Sequence, residues 1–212
     1  RGQRKRDYPL HHSAHNPWQS ALADFNRHFD NLASTLAQGT EYAPVLMIHP
    51  IHSAYCKYMS NWDNYDMWIN NTIEFLENKF EGIVKDFAAN QIPYHFGDEW
   101  LMEKYGKVEG KEIVIGNCRY EAVVLPYLYS LDSSTVALLK EFIDNGGMVW
   151  LADGKPVYVD GAPEDGRLDF LRSTANKYDI LKLRDVVITE NGQNVPAIRR
   201  TSRITPEGRI IY

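Results

Sequence analysis

Between residues 44 and 151, short apolar runs alternate with helical stripes, and this alternation constrains the fold more than any other feature. Pro44-Val45-Leu46-Met47-Ile48-His49 is almost continuously apolar, as a parallel strand buried on both faces requires. Pro93 to Phe96 reads as a second, shorter strand and Glu121 to Pro126 as a third. Met148-Val149-Trp150-Leu151 is the fourth, breaking into the turn Ala152-Asp153-Gly154-Lys155-Pro156. Between them lie helical patterns. Ile69, Ile73, Leu76, Phe80, Ile83, Val84 and Phe87 mark the buried stripe of a helix over about 67–90. Val136, Leu139, Phe142 and Ile143 mark another, with Asp132 or Ser133 as its cap and Gly146 as its stop. Strand–helix alternation implies right-handed crossovers and a mostly parallel sheet.

Outside that region the pattern changes. Residues 1–19 are polar and broken by Pro9 and Pro17, and a helix is expected from Ser20 to Ala37 on the spacing of Leu22, Phe25, Phe29, Leu32 and Leu36. Pro50 to Asp66 reads as a long aromatic loop, Asp98 to Tyr105 as a short helix, and 108–115 as a hairpin or paired edge element. After Pro156 the rhythm fades. Leu168 to Ala175 reads as helical; Val186-Val187-Ile188, Ala197-Ile198 and Ile210-Ile211 read as strands, with turns at Asn191-Gly192 and Pro206-Glu207-Gly208. The expected division is a linker and helix over 1–40, an α/β domain over 41–178 and the start of a β-rich domain over 179–212. The chain opens on Arg1 and ends on the strand-like Arg209 to Tyr212, so it is read as cut from a longer protein.

Composition narrows the function classes. Hydrophobic residues make up 44% and charged residues 24% of 212, ordinary for a globular chain. A net charge of -5 gives no nucleic-acid signal, and the basic run Arg1 to Arg6 is read as a solvated or domain-facing segment. No apolar run approaches the ~18 residues of a membrane span. Cys56 and Cys118 stand alone, without metal or disulfide spacing. They read as reduced thiols, which points to a reducing, cytoplasmic compartment.

Two sets of residues carry a resemblance. Arg1 to Pro9 with Asn16-Pro17-Trp18 looks like the exit from the catalytic barrel of large bacterial glycoside hydrolases. Val45 to Ser53, Val123 to Pro126 and Gly146 to Val149 resemble strands of the module that follows such barrels. That module is class I glutamine-amidotransferase-like, and is similar to the trimerisation domain of family 42 β-galactosidases and to its counterpart in α-L-rhamnosidase-like enzymes. The resemblance implies a flavodoxin-like, three-layer α/β sandwich with a mostly parallel sheet and a short β-rich C-terminal fragment. It implies a structural, oligomerising or substrate-site-supporting module. Its partners would be an upstream catalytic barrel of the same chain, further copies of itself and carbohydrate, and no cofactor is expected. Amidotransferases of this class place a cysteine in the turn after a strand like 148–151, where this chain has Ala152-Asp153-Gly154.

Each candidate residue also has a plainer structural role. Asp153 is a carboxylate nucleophile or, in the favoured reading, half of an Asp-Gly turn. Cys56 has His49 and His52 nearby in sequence, but a Cys–His pair needs hydrogen-bond geometry. His11, His12 and His15 form HHxxH without the glutamate of a metalloprotease helix, and are read as packing residues, so no metal ligands are expected. Asp98 and Glu99 could be read as a pair of glycosidic carboxylates, but at a helix start they are read as capping the helix and favouring its positive end. The favoured substrate-binding set is the aromatic loop with its flanking histidines: His49, His52, Tyr55, Trp62, Asp63, Tyr65 and Asp66. Flat rings beside carboxylates suit sugars, and the same composition suits a protein interface. No residue is assigned to catalysis. The alternatives are an independent amidotransferase-like hydrolase using Cys56 or Asp153, and a stand-alone sugar-binding module.

Overall fold

The computed structural model describes residues 17–58, 71–174, 176–177, 179–184 and 186–211. Contacts divide the chain into two compact units, 1–39 and 40–212. In the first, a 3-10 turn at Gln19–Ala21 leads into helix α1, Leu22–Leu36. The apolar residues Phe25, Phe29 and Leu32 of its stripe are exposed.

The second unit is organised by a parallel sheet. Its four main strands are Val45–Ile48, Tyr94–Gly97, Ala122–Leu125 and Met148–Leu151. A two-residue strand, Asn176–Lys177, pairs in parallel with the fourth. With these numbered one to five along the chain, the order across the sheet is 5-4-3-1-2. Helices α2 (Ile51–Lys57) and α3 (Asn71–Ala89) follow the first strand, α4 (Glu99–Tyr105) the second and α5 (Ser133–Asp144) the third. A short helix α6, Asp169–Thr174, precedes the fifth.

The near-continuous hydrophobicity of the strands follows from burial on both faces. Successive side chains point to opposite sides. Val45, Met47, Val124 and Trp150 pack with Ile83 and Phe87 of α3. Leu46, Ile48, Val123, Leu125 and Val149 pack with Met102 of α4 and Val136, Leu139 and Phe142 of α5. The result is a sheet with helices on both faces. Each fully buried aliphatic side chain contributes roughly 1.5–3 kcal/mol, so two covered faces supply most of the driving force.

Several expectations change. The long loop after His49 holds helix α2, because Ile51 to Lys57 continues directly from the strand before the chain leaves the described residues. The edge hairpin gains a third strand. Gly106–Glu109 and Glu112–Ile115 pair antiparallel, and Cys118–Tyr120 adds to the second of these. The turns at Asn191-Gly192 and around Glu207 are present, but their strands are Thr189–Glu190 with Gln193–Asn194, and Ser202–Thr205 with Gly208–Ile211. Val186-Val187-Ile188 is not a strand, and Gln91 accounts for part of this. Its buried side-chain amide accepts from the Ile188 N–H at 2.8 Å and donates to the Ile188 carbonyl at 2.9 Å. Ala197-Ile198 is likewise outside any strand. The strand Ser202–Thr205 also pairs with Thr40–Glu41 at the start of this unit. No helix among the described residues is long and apolar enough to cross a membrane.

The junction between α5 and the fourth strand is sterically exacting. Gly146 has φ +86°, and its N–H donates to the Ile143 carbonyl, while Gly147 N–H donates to that of Phe142. A Cβ on Gly147 would lie 2.3 Å from the buried Phe142 ring. Gly147→Ala should therefore destabilise the fold by about 1–3 kcal/mol, a fall of ~2–12 °C in Tm. Gly82, exposed on α3, has nothing within 4 Å of a built Cβ. Gly82→Ala should stabilise by about 0.8–1 kcal/mol through helix propensity. Thermal melts of the two variants should shift in opposite directions.

Candidate functional site at the carboxyl edge of the sheet

In open parallel α/β sheets, ligands gather outside the carboxyl ends of the strands where the winding direction reverses. Here the chain runs from the first strand outward to the second, then returns past the first to the third. The reversal therefore lies between Ile48 and Leu125. Three segments meet there: His49 into α2, Asp98 into α4, and Pro126 to Asp132 into α5.

Ser53, fully buried on α2, fixes the third of these segments. Its hydroxyl oxygen accepts the Tyr129 and Ser130 amides at 2.9 and 3.0 Å and donates to the Ser130 carbonyl at 3.0 Å. Glu99 acts on the same segment from α4. Its Oε2 accepts the Asp132 amide at 2.7 Å. Asp98 fulfils the expected capping role, with Oδ1 accepting the Leu101 amide at 3.0 Å. Asp132 does not cap α5 with its side chain, although it occupies the N-cap position. Its carboxylate turns instead to His52, whose Nδ1 lies 2.8 Å away. The vacated role passes to Asp160, which accepts the Ser133 amide at 2.8 Å.

His52, Glu99 and Asp132 thus converge. His52 Nδ1 is 3.9 Å from Glu99 Oε1, and donor atoms of all three residues lie within 4.8 Å of one another. Among the described residues this is the cluster able to hold a metal ion. Glu99 is 1% exposed. Burial pushes its carboxyl up to about 7, aided by the Asp132 charge and opposed by the Asp132 amide, the Thr135 hydroxyl and His52. Burial alone works against charging His52, but the hydrogen bond and charge of Asp132, then the charges of Glu99 and Asp98, raise its affinity for a proton. His49 moves the other way. It is desolvated between the rings of Phe80 and Phe96, at 5.1 and 5.7 Å, and its pKa is lowered despite Asp98.

The candidates from the sequence divide among several places. His52 joins the cluster, and Tyr55 lies near-parallel to its ring at 6.1 Å, largely exposed. His49 instead lines an apolar hollow with Pro50, Ile73, Leu76 and Phe80. Trp62, Asp63, Tyr65 and Asp66 lie outside the described residues, as do His11, His12 and His15. Cys56 is exposed on α2, while His52 turns to Asp132 and Glu99 and His49 packs between Phe80 and Phe96. Asp153 sits in a turn with Gly154 at φ +67°, and its carboxylate meets Lys79 Nζ at 2.6 Å. Ser53, Tyr127 and Tyr129 carry no recognisable motif in the sequence, and the sequence suggests only a helix cap for Asp132. The rings of Tyr127 and Tyr129 meet at 5.3 Å, and Lys57 Nζ lies over Tyr129 and Tyr158 at 5.1 Å each. Only the spacing of polar residues just after each strand could have pointed to them.

Two stability measurements follow from this arrangement. Ser53→Ala strands two amides in the interior and should cost about 2–4 kcal/mol in urea unfolding. Glu99 and His52 both bind a proton more tightly folded than unfolded. Their contribution is fully present below the unfolded values of 4.5 and 6.5 and is lost as pH rises through the folded ones. For Glu99 that window runs from 4.5 to about 7. In metal-free buffer, Glu99→Gln should flatten the decline in stability across it, removing up to roughly 3 kcal/mol of pH dependence.

A scan against protein-family models finds no match, and no curated protein matches this sequence.

Proposed function

We propose that residues 40–212 are a non-catalytic α/β module of a carbohydrate-active enzyme, which supports oligomer contacts or walls a neighbouring glycosidase site. One observation carries this reading: the polar side chains at the carboxyl edge are committed to holding the chain itself. Ser53 gives its proton to a backbone carbonyl, Glu99 and Asp132 engage an amide and an imidazole, and Asp153 pairs with Lys79. A nucleophile needs a free lone pair beside a base that can take its proton, and these residues are otherwise engaged. The 2-1-3-4-5 strand order is that of flavodoxin-like sheets, which supports the amidotransferase-like reading of the scaffold. Ala152 and Asp153 at the turn after the fourth strand support loss of chemistry there. The natural partners are an upstream glycosidase barrel and further copies of the module.

A second reading, a sugar-binding module, draws on Tyr55 and Tyr58, which are exposed and flank Lys57 in sequence. Aromatic faces of this kind suit the apolar faces of sugar rings and protein interfaces alike.

The purified chain should release nothing above buffer rate from aryl galactosides, aryl rhamnosides or glutamine. Robust turnover that Cys56→Ala or Asp153→Ala abolishes would overturn the module reading in favour of an independent hydrolase. Tryptophan fluorescence titrated with methyl galactoside and methyl rhamnoside separates the second reading. A saturable change lost in Tyr55→Ala supports it, and a flat response removes it.

A further inference from the structure

We propose that His52, Glu99 and Asp132 form a site for one zinc-class dication that bridges the loops after the first three parallel strands. Two carboxylates meet at the carboxyl edge of the sheet, one of them 1% exposed, and the cationic group acting on that one is the partly exposed His52. Buried carboxylates are ordinarily paired in full or bound to a metal.

Geometry agrees. Zinc bonds imidazole nitrogen and carboxylate oxygen at about 2.0–2.2 Å, so two ligand atoms at tetrahedral angles stand ~3.4 Å apart. The separations from His52 Nδ1 are 2.8 Å to Asp132 and 3.9 Å to Glu99, on either side of that value. Closing these two asks for side-chain shifts well under 1 Å, roughly the difference from the tetrahedral spacing, and the two carboxylates, whose ligand atoms lie within 4.8 Å of each other, would be drawn together by the ion. Glu99 already spends Oε2 on the Asp132 amide, which fixes the carboxylate from behind and leaves Oε1 towards His52. Mixed nitrogen and oxygen donors favour zinc and its first-row neighbours over magnesium or calcium.

Thr135, buried in the first turn of α5, has a hydroxyl that acts on the Glu99 carboxylate without making a hydrogen bond of normal geometry to any described residue. Three protein ligands leave a fourth position for water, and that water would give the Thr135 hydroxyl a hydrogen bond of normal geometry. The role fits the module reading but does not depend on it: the ion would staple three loops whether or not the scaffold is catalytic.

The test is competition between the metal-stripped chain and a chromophoric chelator for Zn²⁺, with circular dichroism to confirm that each variant folds. The wild type should take one equivalent and gain thermal stability on loading. Asp132→Asn and Glu99→Gln, both close to isosteric, should each weaken binding about tenfold or more, as should His52→Ala. A variant with His11, His12 and His15 changed to Ala should bind as the wild type does. Failure to take up an equivalent overturns the site. So does binding that persists in Asp132→Asn and Glu99→Gln but is lost in the triple histidine variant. Weak uptake unaffected by any variant marks an adventitious ion only and overturns it equally.

Discussion

The carboxyl edge of the sheet depends on where three backbone amides send their hydrogen bonds. Tyr129, Ser130 and Asp132 lie in the connection from the third strand to α5, part-buried or buried, where water is a poor partner. Two side chains from two other crossovers accept them: Ser53 Oγ from α2 and Glu99 Oε2 from α4. An unsatisfied buried amide costs about 1–3 kcal/mol, so these two acceptors fix the position of the whole connection. Ser130–Leu131, held in this way, then pairs with Tyr158–Val159 and carries the chain beyond the fourth strand.

The same commitments shape the electrostatics. Glu99 is buried because it must reach the Asp132 amide, and burial raises its hold on a proton. Asp132 leaves its helix cap because an imidazole stands 2.8 Å away, and Asp160 supplies the cap from a residue at φ +53°. Each polar group at the edge is therefore explained by another. That is the pattern of a scaffold holding its loops, and the proposed dication would complete it by offsetting the excess of carboxylate charge.

The sheet was legible in the sequence because it rests on a short-range signal. Val45 to Ile48, Ala122 to Leu125 and Met148 to Leu151 are apolar at every position or nearly so, and burial on two faces is the simplest way to satisfy that. The capping role of Asp98 was legible for the same reason, being local to one turn. Helix α2 was hidden because Ile51 to Lys57 is short and its aromatic and polar residues look like loop. The cluster was hidden because its members are 47 and 33 residues apart along the chain, as His52, Glu99 and Asp132 are numbered. Only the crossovers bring them together. Asp132 illustrates the difference: adjacency to a helix start suggested a cap, while the tertiary neighbour that redirects it has no trace in local sequence.

Amide hydrogen exchange on the unmodified chain reads these three hydrogen bonds one by one. Tyr129, Ser130 and Asp132 should exchange as slowly as the amides of the central strands Val45–Ile48 and Ala122–Leu125, opening only with the core. Exchange of those three near the rate of an unstructured peptide, while the strands stay protected, would contradict the account.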